Sequence, residues 1–177
     1  TDPQQEGLCL LKSAPRANAK NIEAANRTAH FVNEFNRQVT EVLHSQKLVN
    51  GLVIRGFSRF PTLPRFDEIY STHSLAIASF PFYRGIAYLL GMDIAHGCLS
   101  FEDQIQALKN NYDKYDFFFL HYKDSDCRGE DRNFIGKVQA LEYLDSKLDE
   151  ILSLGFDTVV ITGDHSTPSL LGAHSHH

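Results

Sequence analysis

The sequence has few cysteines, and none of them forms a recognisable metal or redox motif. Its 177 residues include three, Cys9, Cys98 and Cys127, which are widely spaced and form no Cys-x-x-Cys pair. An odd and scattered set argues against a disulfide framework and against a zinc ribbon. We therefore expect free thiols in a reducing compartment, and we assign the protein to the cytoplasm.

Long apolar runs and basic blocks are also missing. The longest apolar stretches are broken by Pro81, Arg84 or His121, well short of the roughly 18 residues that predict a membrane-spanning helix. The net charge of −5 and the lack of an aromatic-basic stripe argue against a nucleic-acid-binding surface. A phosphorylated metabolite stays possible as a partner, because it needs only a few local arginines.

The composition is that of a folded globular protein, with 42% hydrophobic and 22% charged residues. The length suits one domain or a large part of a bigger protein. Thr1 is not an initiator methionine, and His176 with His177 is consistent with the start of a purification tag. We therefore expect the chain to be an excised piece.

Hydrophobic periodicity predicts helices over residues 18–45, 100–112 and 134–154, with Ser100 as a cap and Gly155 as a stop. A further helical pattern covers 72–90, where Pro81 predicts a kink or two short helices. Short β-branched or apolar runs predict strands over 51–55, 116–122 and 157–162. Two prolines within 59–66 predict an extended connector, and we place a domain boundary there.

The order strand, helix, strand over 116–162 predicts a βαβ unit in an α/β fold with a mostly parallel sheet and flanking helices. Such units are almost always right-handed, and both strands end at the same edge of the sheet. Asp126, Glu130, Asp164 and His165 should therefore lie along one edge. This convergence is stronger evidence for a site than any one residue.

Three carboxylates and an imidazole at one edge predict a divalent-metal site, which His174 could join. Oxygen ligands suit Mg²⁺ or Mn²⁺, and imidazole admits Mn²⁺ or Zn²⁺. Taken singly, Asp126 and Glu130 could be solvated loop acids and Asp164 a turn former. For His121, which lies inside a predicted strand, we favour a structural role over metal ligation.

Several motifs together resemble one family. TGDHSTP at 162–168, AHS at 173–175 and FLHYKDSDCRGED at 119–131 resemble the carboxyl-terminal metal motifs of archaeal-type cofactor-independent phosphoglycerate mutases, in the alkaline phosphatase superfamily. The helix KVQALEYLD at 137–145, LVIRG at 52–56 and FYRGIAYLLGM at 82–92 are similar to further blocks of that family. The resemblance covers nearly the whole chain and is weakest over the first twenty residues.

The resemblance implies an alkaline-phosphatase-like core that is incomplete here. Residues 61–177 would be the carboxyl-terminal part of the metal-binding domain, and 1–60 the end of an inserted α/β substrate domain. Two divalent cations are implied, Mn²⁺ or Mg²⁺ first and Zn²⁺ as an alternative. Asp126, Glu130 and His174 would hold one cation, while Asp164 and His165 would contribute to the other.

Two arginines, Arg55 and Arg84, stand where the family contacts phosphate or carboxylate groups. An arginine fork can meet a planar oxyanion with two hydrogen bonds. A surface ion pair is the alternative for each arginine.

The chain departs from the commonest family pattern where Gly129 is followed by Glu130 instead of histidine. A carboxylate in that place should favour Mg²⁺ or Mn²⁺ over Zn²⁺. It also leaves Asp131 as a rival ligand.

The nucleophilic serine of the family is not in this chain, and neither is the Asp-Gly that ends an amino-terminal strand. The resemblance implies an isomerase that interconverts 3-phosphoglycerate and 2-phosphoglycerate through phosphoserine, in glycolysis or gluconeogenesis. The present chain alone should be inactive. Two alternatives stay open, namely another phosphatase or phosphotransferase of the superfamily and a non-catalytic metal-binding module.

Overall fold

The structure is a computed structural model that describes residues 11–49, 51–54 and 59–176. It separates the chain into two compact units, Thr1–Phe60 and Pro61–His177. The division falls inside the connector that contains Pro61 and Pro64. The assignment of the first unit to an inserted substrate domain stays a prediction.

The first unit is built on one long helix, α1 (Ile22–Leu43). Asn21 caps it, because its side chain accepts a hydrogen bond from the backbone N–H of Ala24 at 2.9 Å. The predicted helix is therefore confirmed, with its start a few residues later. The predicted strand at 51–55 is wrong for residues 51–54, which form no strand, because no described strand supplies them with backbone hydrogen bonds. Arg55 lies outside the described residues.

The second unit contains a parallel three-stranded sheet in the order β2-β1-β3. Its strands are β1 (Ser74–Ala78), β2 (Asp93–Ile94) and β3 (Phe117–His121). All five residues of β1 are buried, as expected of a central strand covered on both faces. This arrangement confirms the predicted α/β class and the predicted strand at 116–122.

Helices cover both faces of the sheet. Successive residues of a strand point to opposite faces, so Leu75 and Ile77 pack with Leu108 and Ile151, while Ala76 packs with the other apolar cluster. The helices of this unit are α2 (Phe66–Tyr70), α3 (Pro81–Leu89), α4 (Phe101–Asn111), α5 (Asp124–Glu130) and α6 (Phe134–Leu152).

Two of these helices confirm predictions from periodicity. Ser100 caps α4 by accepting from the N–H of Asp103 at 3.1 Å, and Gly155 adopts φ 83° after the end of α6. Among the described residues, none of the helices combines the length and apolar character that crossing a bilayer requires.

The helix predicted over 72–90 is wrong for its first half, which forms strand β1. The run Ser-Leu-Ala-Ile-Ala is continuously apolar after its serine, and a buried strand and a buried helix cannot be distinguished by periodicity in so short a run. Pro81 causes no kink. It is the first residue of α3, where its missing N–H costs no hydrogen bond.

The strand predicted over 157–162 is also wrong, because this segment pairs with no described strand. Val160 and Ile161 remain 77% and 67% exposed. Apolar β-branched residues favour a strand, but only a neighbouring strand completes its backbone hydrogen bonds. The residues after β3 form the short helix α5, which was not predicted from the sequence.

Candidate metal centre

Helix α5 places two of the predicted ligands one helical turn apart. Asp126 and Glu130 differ by four residues, so their side chains lie on the same face of the helix. The helix begins soon after β3 ends at His121. Functional groups in open parallel sheets gather beyond the carboxyl ends of strands, and α5 lies there.

A folded loop near the end of the chain supplies the histidines. Ser166 and Ser175 form an isolated antiparallel bridge, with the Ser175 N–H donating to the Ser166 carbonyl at 2.9 Å. Between them, Gly172 closes a turn on the carbonyl of Pro168 at 3.0 Å. This bridge brings His165 and His174, which flank the turn, next to each other.

The imidazoles of His165 and His174 stack with ring centroids 3.7 Å apart. With Asp126 they offer one nitrogen or oxygen ligand atom each, and these atoms all lie within 4.8 Å of one another. Such nitrogen and oxygen donors fit Mn²⁺ or Zn²⁺. The chemistry of the residues present is therefore that of a divalent-cation site.

The remaining predicted ligands, Glu130 and Asp164, lie next to this cluster. Glu130 Oε1 lies 3.3 Å from His174 Nε2, which is also 3.8 Å from Asp126 Oδ1. Asp164 Oδ2 lies 3.5 Å from His165 Nε2. Asp131, the rival of Glu130, lies instead beside Arg128 at 4.0 Å.

Asp126 is the most enclosed of the acidic groups. Its Oδ2 forms an ion pair with Lys123, and its Oδ1 accepts a hydrogen bond from Thr167. Burial raises the pKa of the Asp126 carboxyl, but the hydrogen bonds from Lys123 and Thr167 outweigh burial and leave this pKa below its ordinary value. Asp126 is therefore held as a carboxylate.

Asp164 is held by an aromatic residue that sequence reasoning did not identify. Tyr83 on α3 donates to Asp164 Oδ2 at 2.8 Å, and this hydrogen bond lowers the pKa of the Asp164 carboxyl. Sequence reasoning also missed Lys123 and Thr167. All three residues lie within the family-like motifs, but their roles depend on contacts that only the packing of the helices and the loop creates.

His121 is packed as well as partly buried, in line with the structural role favoured for it. Its ring stacks on Tyr83 with centroids 3.7 Å apart, and burial lowers its pKa. Its Nδ1 is buried without a hydrogen-bond partner among the described residues.

Arg84, the predicted substrate arginine that the structure describes, forms no side-chain hydrogen bond or ion pair with the cluster among the described residues. Arg84 is half-buried on α3, and its Nε is buried with no hydrogen-bond partner in the described part of the chain. Arg55 lies outside the described residues, so its placement stays a prediction.

Comparisons with known proteins agree with the motifs. The model of the Metalloenzyme superfamily matches residues 12–177. The chain is 47% identical over its whole length to a probable 2,3-bisphosphoglycerate-independent phosphoglycerate mutase of Thermus thermophilus, of which it covers 43%. A protein of the same name from a Thermotoga species is 44% identical over 99% of the chain, which covers 43% of that relative.

A solved structure from Pyrococcus horikoshii supports the fold. It superposes with a TM-score of 0.64 at 24% identity, over 85% of this chain and 45% of its own. The chain spans less than half the length of the curated relatives it matches, which are named as probable 2,3-bisphosphoglycerate-independent phosphoglycerate mutases. The family resemblance drawn from the motifs is confirmed, and the chain belongs to the Metalloenzyme superfamily.

Proposed function

We propose that these residues are part of a metal-dependent mutase that interconverts 3-phosphoglycerate and 2-phosphoglycerate. The observation that carries the proposal is the convergence of Asp126, His165 and His174, with ligand atoms within 4.8 Å, beside helix α5, which follows the carboxyl end of β3. The names of the relatives from Thermus and Thermotoga support this reaction over others of the superfamily.

We assign the cluster to two ion sites, as the family resemblance implies, and its ion-pair contacts form two groups. His174 Nε2 is near both Glu130 Oε1 and Asp126 Oδ1, at 3.3 and 3.8 Å. His165 Nε2 is near Asp164 Oδ2, at 3.5 Å. Glu130, Asp126 and His174 would therefore hold one cation, and Asp164 and His165 would contribute to the second.

The cations we propose are Mn²⁺ or Mg²⁺, because three of the five ligands are carboxylates. When bound, they would neutralise charge on a transferring phosphoryl group and acidify the nucleophile. The residues of this chain hold the carboxylates in place: Lys123 and Thr167 at Asp126, and Tyr83 at Asp164.

Substrate binding is assigned to Arg55 and Arg84. The Nε of Arg84 is buried and has no hydrogen-bond partner in the described part of the chain, which supports this role, because a buried donor gains most from an anionic acceptor. We place the reaction in the cytoplasm, in glycolysis or gluconeogenesis. The two cysteines in the described residues, Cys98 and Cys127, are free thiols, which agrees with a reducing compartment.

The phosphoserine route requires a serine nucleophile that is not among the motifs of this chain, so the chain alone should not turn over. The full-length protein should be assayed with 3-phosphoglycerate, with and without Mn²⁺. We expect Mn²⁺-dependent formation of 2-phosphoglycerate. Release of inorganic phosphate without isomerisation would favour a phosphatase of the superfamily and overturn the mutase proposal.

Calorimetric titration with Mn²⁺ tests the metal site apart from activity. His165→Ala should abolish or strongly weaken binding. Leu99→Ala is the control, because Leu99 is an exposed side chain outside the cluster. Undiminished binding by His165→Ala would exclude this ligand set.

A further inference from the structure

Thr167 lies inside the cluster, but it is not one of the predicted ligands. Its side chain is nearly inaccessible, with 3% of the residue exposed. Its hydroxyl Oγ1 donates to Asp126 Oδ1, a residue 41 positions earlier in the chain. The same oxygen lies 3.2 Å from Nδ1 of His165. Thr167 therefore joins a predicted ligand of one ion to a predicted ligand of the other.

The number of protons available decides the direction of these hydrogen bonds. A threonine hydroxyl carries one proton, and an ionised carboxylate can only accept. Because Thr167 donates its one hydroxyl hydrogen bond to Asp126, its oxygen can only accept a hydrogen bond from His165. Nδ1 of His165 must then carry the proton, and a neutral imidazole with Nδ1–H has a bare Nε2.

The nitrogen without a proton, Nε2, is the one that lies next to Asp164, the other predicted ligand of the same ion. His165 Nε2, and not Nδ1, is the ring atom that lies 3.5 Å from Asp164 Oδ2. Metal-bound histidines commonly donate their other ring N–H to an oxygen acceptor, which fixes the tautomer and the ring orientation. Here that acceptor would be a hydroxyl, which passes the hydrogen bond on to a carboxylate.

Two helices hold the Thr167 backbone in place. Lys137 on α6 donates from Nζ to the Thr167 carbonyl at 2.6 Å. On α5, Gly129 packs so closely that an added Cβ would lie 2.2 Å from the same carbonyl oxygen. The helix that carries Asp126 therefore also positions Thr167, and this packing keeps the Thr167 hydroxyl within hydrogen-bonding distance of Asp126 and His165.

We propose that Thr167 is a positioning residue that fixes His165 as the Nδ1–H tautomer and directs Nε2 to the cation shared with Asp164. The relay His165 Nδ1–H, Thr167 Oγ1–H, Asp126 Oδ1 also couples the two ion sites. This inference rests on the proposed metal site. Neither the family match nor the names of the relatives assign a role to Thr167.

The decisive variants are Thr167→Val and Thr167→Ser, compared by calorimetry with Mn²⁺. Valine keeps the shape and removes the hydroxyl, so affinity should fall by about 10- to 100-fold, the usual cost of losing such a partner. Serine keeps the hydroxyl and should restore most of the affinity. Ser169→Ala is the matched control, because Ser169 is buried in the same loop and its Oγ has no hydrogen-bond partner among the described residues.

Imidazole ¹⁵N–¹H correlation spectra of the metal-free protein at about pH 8, above the usual histidine pKa, read the tautomer directly. The His165 signal is identified by its loss in His165→Gln. We expect Nδ1–H in the wild type and in Thr167→Ser, and a mixture or Nε2–H in Thr167→Val. A wild-type Nε2–H tautomer overturns the inference, even if Thr167→Val fails to fold.

The outcomes separate this inference from the proposed metal site. If His165→Ala abolishes Mn²⁺ binding while Thr167→Val binds as the wild type and keeps its tautomer, Thr167 has no positioning role and the metal site stands. If His165→Ala binds as the wild type, the metal site itself fails, and the role of Thr167 fails with it.

Discussion

The hydroxyl of Tyr83 lies 2.8 Å from Asp164 Oδ2, across 81 positions of the chain. Tyr83 belongs to the first turns of α3, and its ring also stacks on His121 at the end of β3. The contact therefore connects α3, β3 and the loop that carries the Asp-His pair. The Tyr83 hydroxyl thus holds the carboxylate of Asp164, a predicted ligand whose side chain is 60% exposed.

Replacing Tyr83 by phenylalanine should weaken Mn²⁺ binding while leaving the fold intact. The ring keeps its stacking on His121, but Asp164 loses a partner that orients its carboxylate, so affinity should fall about tenfold. Titration calorimetry measures the change. Tyr88→Phe on the same helix is the matched control, since Tyr88 is 68% exposed. Equal affinities for both variants would exclude the orienting role.

Replacing Glu130 tests the departure from the family pattern. Glu130→Gln should weaken Mn²⁺ binding, because it removes the charge beside His174 Nε2, 3.3 Å away. Glu130→His should still bind a cation but shift the preference from Mg²⁺ or Mn²⁺ toward Zn²⁺. Competition titrations with the three metals measure that preference.

Asp131→Asn is the control for Glu130, since Asp131 lies beside Arg128. It should bind all three metals as the wild type does. A loss of binding in Asp131→Asn with none in Glu130→Gln would assign the ligand role to Asp131 instead.

Replacing Gly129 by alanine should destabilise the protein. The new Cβ would lie 2.2 Å from the Thr167 carbonyl oxygen, so α5 or the loop must move. Overpacking of this kind costs about 1–3 kcal/mol in the free energy of unfolding, which urea denaturation measures.

Gly85→Ala on α3 is the matched control for Gly129. A Cβ at Gly85 meets no atom within 4 Å, so alanine should stabilise the helix by roughly 0.5–1 kcal/mol. Opposite signs for the two substitutions are expected. A neutral effect at Gly129 would contradict the close packing of α5 against Thr167.

Acidification should reduce stability through His121. Burial lowers its pKa in the folded state, so the unfolded state binds more protons as pH falls. The contribution of His121 is therefore complete above its unfolded pKa of about 6.5 and is lost as pH falls through the folded value. Denaturation in urea with EDTA, at several pH values below about 7, measures this loss.

His121→Phe and His121→Gln both remove the titrating ring nitrogen. Both variants should show a flatter dependence of the free energy of unfolding on pH, although they differ in packing and hence in absolute stability. A slope equal to that of the wild type in both variants would contradict the lowered pKa.

Local sequence patterns predicted the long helices because their apolar faces repeat over several turns. Helices α1, α4 and α6 and strand β3 were predicted from periodicity or from a continuous apolar run. Strand β1 was missed, because small apolar residues suit a buried helix as well as a buried strand. The segment 157–162 has strand composition, but composition does not supply a neighbouring strand.

The sequence by itself identified the family and the predicted ligands, because the carboxylates and imidazoles of Asp126, Asp164, His165 and His174 are matters of residue type and spacing. Only the tertiary structure decided how these groups are held. The hydrogen bonds of Tyr83 and Thr167 join residues 81 and 41 positions apart. Contacts over such separations leave no periodic trace in the sequence, since they depend on how helices and loops pack around the sheet.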